Sequence, residues 1–140
     1  MSKKKILVAV DGSEYSDLVV DEAIEFVKVV DGTIILVYCH KKFPSSMAQP
    51  YQEDVISHIV SEAEKVVNPF LKKIKAAAVS VEDRIMEEPA GSAISDIARI
   101  EKCDLIIMGS RGLTNLASLI VGSVTNRVLQ TAPCSVLVVR

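Results

Sequence analysis

Long apolar stretches are missing from this chain. None approaches the roughly 20 residues that a helix needs to cross a bilayer, so a membrane is not an expected partner. An excess of basic charge is missing too. Lys and Arg number 16 against 18 Asp and Glu, a formal net charge of −2, which leaves no electrostatic footprint for nucleic acid. The basic cluster Lys3-Lys4-Lys5 is too short to change this and reads as a solvated entry to a strand. Cysteine is scarce, odd in number and scattered: Cys39, Cys103 and Cys134 form neither a disulfide framework nor a metal-ligand pattern. A reducing cytoplasm is the simplest location for such a chain. The lysines run straight into Ile6–Val10 and then Asp11, an apolar segment too short and too soon polar for a signal peptide. Repeats, low-complexity tracts and linkers are absent, so residues 1–140 are expected to form one domain.

What is present is a regular alternation of elements. With 140 residues, 49% of them hydrophobic, the chain can bury a full core without staples. Ile6–Val10 is an uninterrupted apolar run that ends in the turn residues Asp11-Gly12-Ser13, the mark of a buried strand. A helix follows, with Ser13 or Ser16 as N-cap and Glu14 and Asp17 near its positive end. Val20, Ala23, Ile24, Val27 and Val30 recur at helical spacing, and Asp31-Gly32 stops the helix, with glycine just past its end. Thr33–Tyr38, β-branched and apolar, is a second buried strand, with Cys39 and His40 at its end. Lys41–Pro50 has no periodicity and reads as a loop, a candidate cover for a ligand.

An amphipathic helix is expected from Gln52 to Ala76, its buried stripe running from Val55, Ile56, Ile59 and Val60 through Ala63, Val66 and Val67 to Phe70 and Ile74. Pro69 removes one hydrogen bond and clashes with the carbonyl four residues back, so a kink or break is expected near Val67-Asn68. Val79–Met86 is the third strand. Pro89 suits the first turn of the next helix, whose buried face is Ala93, Ile94, Ile97 and Ala98. Leu105–Met108 is a fourth strand, Pro133 closes the last helix, and Val136–Val139 forms the fifth strand. The order βαβαβαβαβ predicts an α/β fold, an open parallel sheet with helices on both faces.

The chain is organised around Asp104–Arg127, DLIIMGSRGLTNLASLIVGSVTNR. A doubly buried strand delivers the chain to a loop punctuated by Gly109 and Gly112. The loop ends at Gly122 and Ser123, where a helical pattern begins with Val124, Val128 and Leu129 on one face. Glycine allows close approach of backbone to a ligand. The first N–H groups of a helix lack intrahelical partners and sit at the positive end of its dipole, so they offer donors to phosphate oxygens. Ser123 and Thr125 add hydroxyls and Arg111 a fixed positive charge. No Gly-Lys-Ser/Thr follows, so this is not a Walker A loop, and the glycines are spaced too widely for the dinucleotide fingerprint. A plain strand-to-helix turn is the alternative; Arg111 and Ser123 at the junction favour phosphate.

Gly109-x2-Gly112-x9-Gly122-Ser123 resembles the ATP-binding motif of the universal stress protein family. KILVAVDGSEYS near the start, a second strand near the chain's first third and the final VLVV strand resemble that family in the same order, over nearly the whole chain. The resemblance implies a Rossmann-like sheet of the adenine nucleotide alpha hydrolase type, with strand order 3-2-1-4-5, and ATP as ligand, with Mg2+ or Mn2+. The order then reverses between strands 1 and 4, and open parallel sheets bind ligands in that crevice, beyond the carboxyl ends of the strands. Asp11 would accept hydrogen bonds from ribose hydroxyls or hold a metal through water; the alternative is an Asx-turn, since Asp-Gly is a common turn pair. Cys39 falls where the family has a small apolar residue whose backbone addresses the adenine edge; its side chain reads as a small core residue. Ala9 and Met108 would floor the base or be plain core. Gly109, Ser110, Arg111, Gly112 and Leu113, with Gly122, Ser123, Val124 and Thr125, would wrap the phosphates. Asn115 would add a donor or make a local cap. The family's Gly before the proline of the third helix is replaced here by Glu87-Glu88, which would narrow the pocket, repel a polyphosphate, or face solvent.

The first functional reading is an ATP-binding regulatory protein in which nucleotide orders loops and changes the partner or dimer surface presented. A slow Mg-dependent ATP hydrolase is the enzyme alternative, with His40 or Glu87 as the only bases near the right end of the sheet; His58 is expected to face solvent. A phospho-receiver is rejected, because strand 1 lacks paired acids and the last strand ends without a lysine. A nucleotide-free interaction module is the remaining alternative, although the glycine motif is kept. The fifth strand would be an apolar edge with open hydrogen-bonding groups, and antiparallel pairing of Val136–Val139 with a second copy would give a two-fold homodimer, as the resemblance also implies.

Overall fold

The structure, a computed structural model, describes residues 3–46, 51–110 and 122–140. Within them the elements run β1 Lys4–Val10, α1 Tyr15–Val30, β2 Gly32–His40, α2 Tyr51–Ala76, β3 Val81–Glu87, α3 Ala90–Ile100, β4 Leu105–Gly109, α4 Ser123–Thr131 and β5 Ser135–Val139. The five strands form one sheet in the order β3-β2-β1-β4-β5, every neighbouring pair parallel. β1 lies centrally, with Ile6 beside Ile34 of β2 on one flank and beside Leu105 of β4 on the other.

The period of two along each strand divides the core into two layers. Ile6, Val8, Val10, Ile34, Leu36 and Ile107 point to one face and pack with α1 and α2 through Val20, Ala23, Val27, Val67, Phe70 and Ile74. Leu7, Ala9, Ile35, Val37, Ile106 and Met108 point to the other and pack with α3 and α4 through Ile94, Ile97, Ala98 and Val128. Each large side chain so buried contributes roughly 1.5–3 kcal/mol, and that drive requires strands apolar on both faces, as β1 is.

Several local expectations are corrected. Helix α1 is capped at Glu14 without a side-chain bond, and Ser16 lies inside the helix, because its hydroxyl is engaged with Asp11. At the other end of α1 it is Asp31, not Gly32, that takes the left-handed conformation, at φ 53°; Gly32 opens β2, where an added Cβ would meet the Lys4 carbonyl at 3.0 Å. Helix α2 runs unbroken through Pro69, which is exposed. Only its second half is deeply buried, through Ala63, Val67, Phe70 and Ile74; Val55, Ile56, Ile59 and Val60 are half-buried or exposed. Pro89 is the N-cap of α3, one residue before the first turn. On α4 the buried residues are Thr125 and Val128, while Val124 and Leu129 are exposed. In a nine-residue helix two apolar residues on the wrong side cost little, so the pattern misled. Of the expected loop Lys41–Pro50, residues 41–46 carry no helix or strand, and 47–50 lie outside the described residues.

Candidate functional site

Where β1 ends, Asp11 is locked by its own turn. Its Oδ1 accepts from the Ser13 N–H at 2.9 Å and from the Ser16 hydroxyl at 3.0 Å. The Asp11 N–H in turn donates to Ser16 Oγ at 3.1 Å. Gly12 sits at φ +82°, a backbone conformation that an L side chain rarely adopts. The Asx-turn is therefore formed, and it fixes where the carboxylate stands.

Where β4 ends, three bonds gather the chain. The Ser110 N–H donates to the Val139 carbonyl at 2.9 Å, and the Gly122 N–H to the Ser110 carbonyl at 3.3 Å. The buried Thr125 hydroxyl donates to the Gly109 carbonyl at 2.8 Å. Residues 110 and 122 are thus joined directly, and α4 begins beside the end of β4. Thr125 spends its proton on this staple rather than holding it out for a phosphate. Gly122, the N-cap of α4, has no side-chain capping bond. Its φ of −61° is ordinary for any residue, and an added Cβ would meet the Ser110 carbonyl at 3.5 Å, a normal contact. Among the described residues nothing requires a glycine at 122.

Between these two strand ends lies a cavity of about 380 Å3, within the range of small-molecule pockets. Ala9, Val37, Met108 and Ile94 supply apolar walls, and Asp11, Ser110, Ser123 and Thr125 supply polar ones. Cys39, Lys41 and Glu88 border it on the side of β2. Burial, and then the Glu88 charge, push the Cys39 thiol up to about 11. The Tyr38 phenol is also raised, by burial first and then by the Asp11 carboxylate.

The structure brings Ala9, Asp11, Cys39, Met108, Gly109, Ser110, Ser123, Val124 and Thr125 to this one cavity. Arg111, Gly112, Leu113 and Asn115 lie outside the described residues. Tyr38, Ala90 and Ile94 also line it and were not read as site residues, and Lys41 lines it as the first residue of the segment expected to cover a ligand. His40, 7% exposed, holds its Nδ1 2.6 Å from the Lys41 carbonyl. A carbonyl only accepts, so Nδ1 carries the proton. The ring packs on Phe43, whose N–H donates to Glu87 Oε2 at 2.8 Å. His58 is exposed on α2. No cluster of metal-ligating side chains occurs among the described residues, and no helix among them is long and apolar enough to cross a membrane.

Five parallel strands with a ligand-sized crevice where their order reverses define an open, doubly wound α/β protein. Residues 3–140 match the model of the universal stress protein family, and the chain belongs to that family. A universal stress protein of Thermus aquaticus is 33% identical over 139 residues, spanning 98% of each chain. Among solved structures, a universal stress protein in complex with cAMP has a TM-score of 0.77 at 22% identity, over 100% of this chain and 99% of its own. A universal stress protein family protein of Arabidopsis thaliana with AMP bound has a TM-score of 0.72 at 20% identity, over 97% and 90%. At these identities the two structures speak to the fold.

Proposed function

We propose that this chain binds an adenine nucleotide, ATP accompanied by Mg2+ or Mn2+, in the crevice between β1 and β4, and that the bound nucleotide acts as a switch on loop order and on the surface offered to partners. The observation that carries this reading is Gly122. Among the described residues the packing tolerates a side chain there, and a ligand that approaches the start of α4 closely would account for the glycine. The uncapped first turn of α4 and the hydroxyls of Ser110 and Ser123 suit phosphate oxygens. The apolar walls suit a base. Asp11 spends Oδ1 on its turn, so Oδ2 is the oxygen for ribose hydroxyls or for a water on the metal. The ligands of the two related structures, cAMP and AMP, support an adenine nucleotide as the class of ligand. Mg2+ or Mn2+ would neutralise phosphate charge in such a site.

Labelled ATP should bind the wild-type chain and lose at least about a hundredfold in affinity, a difference of roughly 2.7 kcal/mol, in Gly122→Val. Equal binding by the two would remove the reading. Turnover gains no support from the geometry, because His40 and Glu87 are each committed to holding the segment after β2.

We infer further that β5 pairs antiparallel with the β5 of a second copy. It is an edge of the sheet, and Leu137 is 40% exposed on it. A lysine in such a strand opposes edge pairing. Sedimentation should find wild-type dimers and Val138→Lys monomers; an unchanged dimer would assign another surface.

A further inference from the structure

A second, more open pocket, of about 420 Å3, adjoins the first and shares Glu88, Ala90, Ser123 and Val124 with it. Its charge is different. Lys42 reaches it from the segment after β2, and Arg127 from the second turn of α4. Adjacent lysines are thus divided, Lys41 lining the first chamber and Lys42 the second. Neither Lys42 nor Arg127 forms an ion pair among the described residues. Glu88, at the junction, is the one carboxylate on the wall, and Ser92 adds a hydroxyl. Arg127 is exposed, but its stem is closely seated. Its stem crosses the buried Gly91 so closely that a Cβ there would stand 2.7 Å from Cγ and 2.8 Å from Cβ of Arg127. The glycine creates the track along which the arginine runs, and the track ends in the chamber.

We propose that this second chamber is the specificity site for phosphate number: Lys42 and Arg127 bind the terminal phosphoryl groups of the nucleotide whose base and ribose occupy the first chamber, so that a triphosphate is held and a monophosphate is not distinguished from its absence there. This rests on the nucleotide reading above. Two cations against one carboxylate leave the chamber net positive, and Glu88, placed between the chambers, raises the cost of any anion that stops at the junction. A guanidinium and an ammonium converging on phosphate oxygens make charge-assisted hydrogen bonds, the strong kind. The same chemistry fits a separate inorganic phosphate or polyphosphate, and the experiment divides the two sources.

Calorimetric titration of ATP, ADP and AMP should be run on the wild type, Lys42→Gln and Arg127→Gln, with thermal unfolding as a check on the fold. Each substitution should weaken ATP about tenfold, the equivalent of roughly 1.4 kcal/mol, and leave AMP within about twofold, so that the ratio of ATP to AMP affinity collapses. Equal weakening of ATP and AMP, or no weakening of either, overturns the proposal. If the wild type binds no nucleotide, the nucleotide reading fails on its own, and inorganic tripolyphosphate titrated alone decides the chamber. Binding that is lost in both variants assigns an independent polyphosphate site; no binding, or binding unaffected by the variants, removes it. Gly91→Ala, which displaces the arginine stem while keeping its charge, should reproduce the loss of ATP selectivity seen in Arg127→Gln.

Discussion

The two ends of the sheet are built from the same kinds of turn and use them differently. At the amino end the bonds close the structure on itself. The Lys5 N–H donates to Asp104 Oδ2 at 2.8 Å, the Asp104 N–H to the Lys5 carbonyl at 2.8 Å, and Lys5 Nζ to the Glu101 carbonyl at 3.2 Å. The turn from α3 into β4 is sealed by the Cys103 N–H on the Ala98 carbonyl at 2.9 Å. At the carboxyl end comparable bonds hold open a crevice: Thr125 to Gly109, Ser110 to Val139 and Ser16 to Asp11 keep the strand ends in place, while α3 and α4 both start without side-chain caps. Parallel strands send all their carboxyl ends one way, so a single fold separates a face that stabilises from a face that binds. Substitutions at the two ends should accordingly dissociate stability from affinity.

The largest separation is expected at Gly122. The loss of ATP affinity in Gly122→Val should come with a loss of unfolding free energy of no more than about 1 kcal/mol, the cost of a β-branched residue at an N-cap, since its Cβ position is open among the described residues. Thr125→Val comes next and should affect both properties. It strips the half-buried Gly109 carbonyl of its donor, at about 1–3 kcal/mol, and loosens the seam at which α4 meets β4. Denaturant midpoints and ATP titrations on one preparation would show whether the two losses move together. Asp104→Ala is smaller, at about 1 kcal/mol, because the bond it removes is exposed. Its ATP affinity should equal the wild type's. A weakened affinity in Asp104→Ala would erase the distinction between the ends.

How much of this was legible in the residues depended on which physical signal each position carried. Ile6–Val10 and Leu105–Met108 announced themselves because a strand buried on both faces has no polar residue to blur its ends, and the observed strands contain them. The crevice was legible as a place, since parallel order and the glycine spacing pointed to the same strand ends. Its far wall was not. Lys41 and Lys42 lie in a segment without periodicity, and no sequence pattern states which of two adjacent lysines enters which chamber. Gly91 was equally silent: it stands second in α3, in the first turn, and among the described residues the passage of Arg127 across it explains the residue. The capping errors at Ser16 and Gly32 share a cause. Each residue had a stronger tertiary partner, or a tighter neighbour, than the local role assigned to it. On α2 the amphipathic stripe extended further than the sheet beneath it, which periodicity alone does not reveal.

The last effect is alkaline, and it has a thiol at each end. Cys39 borders the cavity and Cys103 is buried beside the start of β4. Both are pushed up from 9.0 to about 11, Cys39 by burial and then the Glu88 charge, Cys103 by burial and then Cys134. Because the folded chain holds these protons more tightly than the unfolded chain, their contribution is complete below pH 9 and is lost as pH rises toward about 11. Unfolding free energy measured across that window should therefore decline, and Cys39→Ser and Cys103→Ser should each flatten the decline in part. Saturating ATP separates the ends once more. A nucleotide over Cys39 removes it further from water and adds negative charge beside it, raising its pKa again, whereas Cys103 is out of reach. The alkaline decline should move upward with ATP in Cys103→Ser and stay where it is in Cys39→Ser. An identical shift in both variants would mean that the nucleotide does not sit against Cys39.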